Sequence, residues 1–339
     1  MDSAHAQTVF RFAFGVTLAF VAGELMKLTV PFLAPVLTCV VLANIPVRPP
    51  LKVALGFCLV IGVSAFLGLM LSYAFRGVPH ILFGASALIV FLALYALAKG
   101  ASKLAPLFIL VCVTVVPVIG LQTLVAAEGF AVAFASGACF AMFVAWVSWL
   151  VFPKALPPRA APKPVPPPPA LALRIALLGT AILAPLMLAY LMLGLYTAIP
   201  AMVGTVLIVT SLDFQLGRKQ AFLNVVANFA GGVSSVIVLV LLAIHPTLAT
   251  FTLLLLASAL LFGWRIFHGD PMGQLLIVAC NGYLIVFGSS LHSDSGTFSV
   301  WLTRVGLFFL AGLFTMGMMA LLWPRTPNAE TPGDSGLGI

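Results

Sequence analysis

Apolar residues run along this chain in long blocks, each closed by a short break of Pro, Gly, Lys or Arg. The blocks lack the period-2 alternation of barrel strands, and most approach the roughly 20 residues that a helix needs to cross a bilayer core. The pattern predicts helices over residues 10–28, 30–44, 51–75, 79–98, 105–125 and 129–152, then 171–193, 196–211, 220–244, 248–267, 272–290 and 297–323. The expected fold is an all-α integral membrane protein of about twelve transmembrane helices, six plus six.

The second set of blocks repeats the first. Residues 27–63 lie over residues 196–232 without a gap, and Pro31/Pro200, Gly62/Gly231, Gly100/Gly269 and Gly137/Gly306 all keep a separation of 169. The boundaries that follow are 1–153 for a first six-helix module and 171–324 for a second. Residues 154–170 form a Pro-rich linker and 325–339 a polar, Gly- and Pro-rich tail expected to be disordered. With an even number of helices in each half, the modules insert the same way up, as parallel repeats.

Composition narrows the class. Of the residues 63% are hydrophobic and 7% charged, with a mean hydropathy of +1.21, which excludes a water-soluble domain at about 25% charged. The net charge of +8 is explained by topology rather than by nucleic acid. Crossing once per block puts Arg11, Arg48, Lys52, Lys99, Lys103, Lys154, Arg159, Lys163, Arg174, Arg218, Lys219, Arg265 and Arg325 on the side of the N-terminus, and only Lys27, Arg76 and Arg304 on the other. Basic loops stay in the cytoplasm, so both termini are expected there. The five cysteines all fall in apolar blocks and read as packing residues, with no disulfide or metal spacing. No basic n-region or cleavage site marks a removable signal peptide.

No GxxxxGK[ST], HExxH, GxSxG or paired-Asp motif occurs, so neither an enzyme nor a cofactor or metal site is expected. His268, Asp270 and Arg265 read as a turn, with Asp270-Pro271 starting the next helix. Short or Pro/Gly-interrupted helices at matching places in two repeats are the usual mark of a transport site. Two matched pairs qualify. One is the short helix of each half, with Pro31, Pro35 and Thr38 in the first and Pro200, Gly204 and Thr205 in the second. The other is the fifth helix of each half, with Thr114, Pro117 and Gln122 against Asn281 and Gly282. Helix packing on small residues leaves the same trace. Asn224 and Asn228, at i and i+4 beside Gly231-Gly232, put two amides on one helix face, which is costly in lipid and should meet protein, water or substrate. Their gap-free counterparts are Leu55 and Leu59. Glu24 is the clearest acidic residue at membrane depth, with Lys27 at i+3 to pair with it.

These residues carry a resemblance. The block PAMVGTVLIVTSLDFQLGRKQAFLNVVANFAGGVSSVIV, the first-half block PFLAPVLTCVVLANIPVRPPLKVALGFCLVIGV, and the closing helices ending FVAWVSWLVFP and TMGMMALLWP resemble the fusaric acid resistance and aromatic acid exporter (FUSC-like) family of inner-membrane transporters. Its distant relatives include plant malate channels. The resemblance runs over roughly residues 10–324 and implies a secondary exporter of small organic anions such as aromatic carboxylic acids. It also implies a bacterial inner membrane and a periplasmic adaptor of a tripartite pump as partner. Its basic turn corresponds to Arg218 and Lys219; in the first half that turn is split into Arg48 and Lys52 around Pro49-Pro50. The sizeable cytoplasmic domain of many members is replaced here by the Pro-rich linker. A passive anion channel, a major-facilitator-like carrier suggested faintly by DFQLGRK, and a non-transport envelope scaffold are the competing classes.

Overall fold

The computed structural model describes residues 3–45, 47–101, 104–154, 168–194, 202–203, 205–206, 209–210, 214–268, 273–291 and 297–322. Among them there are eleven helices and no strand. They are α1 (Ser3–Leu25), α2 (Leu33–Asn44), α3 (Leu51–Phe75), α4 (Pro79–Ala98), α5 (Leu104–Gln122), α6 (Leu124–Val151), α7 (Pro169–Leu193), α8 (Phe214–Ile244), α9 (Leu248–Phe267), α10 (Gly273–Leu291) and α11 (Thr297–Leu322). Most of the predicted 196–211 block lies outside the described residues, Pro200 and Gly204 included, as do 155–167 of the linker and the tail.

Local chemistry sets the ends. Pro79 opens α4 in the first turn, where its missing N–H costs nothing. Thr123 caps α6, its side chain accepting from the Ala126 N–H at 3.2 Å, and Thr247 caps α9 through Thr250 at 3.2 Å. This is why α6 starts at Leu124 rather than at the expected residue 129. Gly100 closes α4 with φ +89°; its N–H reaches Leu97 O at 3.0 Å while the Ala101 N–H reaches Ala96 O at 3.1 Å, the paired bonds of a Schellman stop. α8 starts at Phe214 instead of residue 220, so Arg218 and Lys219 lie inside a helix and not in a turn.

Eight helices are long and apolar enough to cross a bilayer: α1, α3, α4, α5, α6, α7, the Val225–Ile244 part of α8, and α9. Their outward faces keep large apolar side chains exposed, among them Leu59, Val132, Phe143 and Leu253, which suits lipid and would be a liability in water. This is an α-helical, multi-pass membrane protein.

The helices pack in two groups with contacts between them. In the first, α3 lies on α5 and α6, and α2 on α1 and α6; in the second, α8 lies on α10 and α11. Between the groups, α1 packs on α9, α4 on α7, and α2 on α10. The α1 contact is aromatic: Phe20, Phe251 and Phe287 form a triangle with ring centroids 5.6–5.8 Å apart, and Phe12 stands edge-on to Phe267.

Arg11 joins α1 to the end of α6. It is 1% exposed, its guanidinium lies 3.4 Å from the Trp149 ring centroid, and Nη1 donates to Phe152 O at 3.1 Å and Lys154 O at 2.8 Å. A cation on the last carbonyls of a helix completes hydrogen bonds that have no intrahelical partner and meets the negative end of the helix dipole. Arg76 serves α5 in the same way at the opposite end, donating to Gln122 O at 3.1 Å.

Candidate functional site

Helix α2 is the structural irregularity around which a site can form. Its 12 residues rise only about 18 Å, little more than half the bilayer core. The chain enters it after a turn at Pro31, whose carbonyl faces Gly23 of α1. Small residues let α2 sit deep: Gly15 meets Leu42, Gly137 meets Leu33 and Ala34, and Gly288 of α10 meets Phe32. Pro31, Pro35 and Thr38 are all buried.

Several sequence candidates have their polar groups engaged. The Thr38 hydroxyl donates to Ala34 O at 2.8 Å and the Thr114 hydroxyl to Leu110 O at 2.7 Å, each within its own helix. Gln122 donates through Nε2 to Gly194 O at 3.1 Å, tying the end of α5 to the end of α7. Thr205 is fully buried, and Val209, four residues on, meets Gly179 of α7 together with Leu94 of α4. The side chains of Asn224, Arg218 and Lys219 lie outside the described residues.

The structure brings the remaining candidates to one turn of α10, residues 279–283. α8 crosses it at Gly231, where a Cβ would meet the backbone of Ala279, of Gly282 (3.1 Å) and of Tyr283 (2.7 Å). One turn earlier on α8, Asn228 is 6% exposed and lays its side chain on Gly282. In the same turn, Cys280 neighbours Cys39 of α2, and both are buried. Asn281, the next residue of α10, keeps Oδ1 shielded from solvent with no hydrogen-bond partner, and the fully buried Ser235 Oγ on α8 also has none. Behind the turn, Ser258 of α9 and the Tyr283 hydroxyl bond at 2.9 Å. The short helix of the first group, a glycine crossing from the second and a partly unsatisfied amide thus all belong to this stretch of α10.

The gap-free pairing of α3 with α8 needs correcting. Gly62 has nothing within 4 Å of an added Cβ, although Gly231 is a crossing point. The buried positions Phe57, Ile61, Ala65 and Gly68 on α3 match Ala227, Gly231, Ser235 and Val238 on α8, a separation of 170. One residue rotates a helix face by about 100°, so by the spacing of buried positions Asn228 matches Cys58, where the gap-free pairing gives Leu59.

Glu24 stands apart from this junction. α1 ends at Leu25, and Lys27 lies beyond it with φ +52°. Glu24 lines an open cavity of about 370 Å³ with Leu242, Pro246, Thr247, Phe251 and Leu291. Two features escaped the sequence: the Cys39–Cys280 contact, which no repeat spacing links, and the burial of Arg11. An arginine within an apolar block beside an aromatic closing helix was the available signal for the latter.

Among the described residues no cluster of three or more metal-ligating side chains is found. These helices define the class, a multi-pass α-helical membrane protein. Residues 8–148, which run from α1 almost to the end of α6, match the model of a family described as a protein of unknown function (DUF2955). No curated protein and no solved structure matches the chain.

Proposed function

We propose that this chain is a secondary exporter of small organic anions, aromatic carboxylates among them, working across a bacterial inner membrane. The observation that carries the reading is Asn281: an amide with a shielded, unpartnered oxygen on α10, the helix that both α2 and α8 pack against. A buried polar atom without a partner costs about 1–3 kcal/mol and is found where a ligand or water completes it. The open Oδ1 accepts, so it takes a donor, a hydroxyl of the substrate or a water that accompanies it, while the Nδ2 of the same amide is the atom that can donate to a carboxylate.

Twelve spans in two parallel six-helix units, residues 1–153 and 171–324 around the linker, fit the packing. α3–α5 recurs as α8–α10, α3–α6 as α8–α11, and α4–α7 as α9–α1. The buried face of α4, at Leu82, Ser86, Val90, Ala93, Leu94 and Leu97, returns on α9 at Phe251, Leu255, Ala259, Phe262, Gly263 and Ile266, each 169 residues on. The distribution of Lys and Arg supports cytoplasmic termini. A periplasmic adaptor protein completes the pump in this reading, with neither cofactor nor chemistry on the substrate.

Cells that lack the protein and express the Asn281→Leu variant should accumulate an exported aromatic acid as a knockout does, with efflux down roughly tenfold, the weight of one lost polar contact. Asn281→Gln should keep part of the activity. Wild-type efflux from Asn281→Leu at equal membrane abundance would remove Asn281 from the path.

A further inference from the structure

A second binding feature lies on the outer surface, away from the α2 junction. On α4, Ile89, Leu92, Ala93 and Ala96 form one stripe at i, i+3, i+4 and i+7 and floor a groove of about 350 Å³. Leu67 of α3 and Ile109 of α5 wall it. Its near end is closed by the Schellman stop of α4, where Ala101 folds back on Ala96 and both line the groove. Small side chains at these positions leave open a channel that larger ones would fill, and the channel opens towards lipid because its helices cross the bilayer.

The stripe continues to Lys99, three residues past Ala96, where the backbone is still helical. Lys99 is exposed, its ammonium lies 4.9 Å from the centroid of Tyr95 one turn back, and no carboxylate among the described residues pairs with it. It stands at the end of the bundle that also carries Arg11, Arg48, Lys52 and Lys154. An apolar groove at acyl depth ending in an unpaired cation at headgroup depth is complementary to one ligand class. We propose that the groove holds one acyl chain of an anionic phospholipid, with its phosphate on the Lys99 ammonium.

Native mass spectrometry of the detergent-purified full chain, with phosphatidylglycerol or phosphatidylcholine of identical chains added, tests this. The wild type should retain one phosphatidylglycerol more than Lys99→Gln does, and bind that lipid roughly fivefold tighter, the weight of one cation at an anionic surface. Phosphatidylcholine counts should be equal in the two. Lys52→Gln, a cation of the same end on α3 and off the α4 stripe that floors the groove, should keep the extra lipid, and Lys99→Arg should restore it. Filling the groove with Ala96→Leu and Ala105→Leu should release the lipid with Lys99 intact. Equal phosphatidylglycerol retention by wild type and Lys99→Gln, loss in Lys52→Gln to the same degree, or unchanged retention after filling would each overturn the assignment.

Discussion

Replacing Gly231 by alanine is expected to destabilise the protein by about 3 kcal/mol, the upper range for overpacking, because the new methyl group would meet backbone atoms of α10 and not a movable side chain. Tyr283 N would stand 2.7 Å from it and Gly282 C 3.1 Å, so α8 and α10 must part along their length. Gly62→Ala is the matched control. With nothing within 4 Å, and alanine the better helix former by about 1 kcal/mol, it should melt at or slightly above the wild-type temperature. Thermal unfolding in detergent compares the pair. Equal melting of the two variants would show that the α8–α10 crossing is not close, and would remove the packing on which the placement of Asn228 rests.

Arg11→Met should cost a similar amount, about 3 kcal/mol, for a different reason. The methionine fills much of the volume, but Phe152 O and Lys154 O lose their charged donor, and hydrogen bonds to charged groups are worth roughly 1.5–3 kcal/mol each. The stacking on Trp149 at 3.4 Å is lost as well. Arg11→Lys should recover little, since a single ammonium cannot reach both carbonyls and lie flat on the indole. A melting temperature for Arg11→Met within a degree of wild type would contradict a role for Arg11 in holding α6 to α1.

Much of the helical layout was legible because membrane helices announce themselves by apolar length and by their breakers. α3, α4 and α9 begin and end where the pattern put them, at Leu51–Phe75, Pro79–Ala98 and Leu248–Phe267. Ends governed by a single cap or by a polar first turn were less so. Thr123 starts α6 early, and α8 absorbs Arg218 and Lys219 because a helix can run past the lipid boundary on polar residues without any hydrophobic mark. The site was legible only in outline. Pro and Gly told where helices are short or close, hence α2 and Gly231, but not which polar groups stay unsatisfied. Thr38, Thr114 and Gln122 look alike with Asn281 on paper; in the fold the first three have partners and the Asn281 oxygen has none. That distinction depends on neighbours remote in sequence, as does the Cys39–Cys280 contact, so no spacing rule could supply it.

In the proposed function, small organic anions cross the membrane past Asn281 of α10. Flux of a radiolabelled aromatic carboxylate in proteoliposomes of the purified protein tests it most directly, with membrane current recorded in parallel. Saturable flux that falls roughly tenfold in Asn281→Leu, without macroscopic current, is the predicted result. No flux of any aromatic acid above empty liposomes, or flux indifferent to Asn281→Leu, would contradict it.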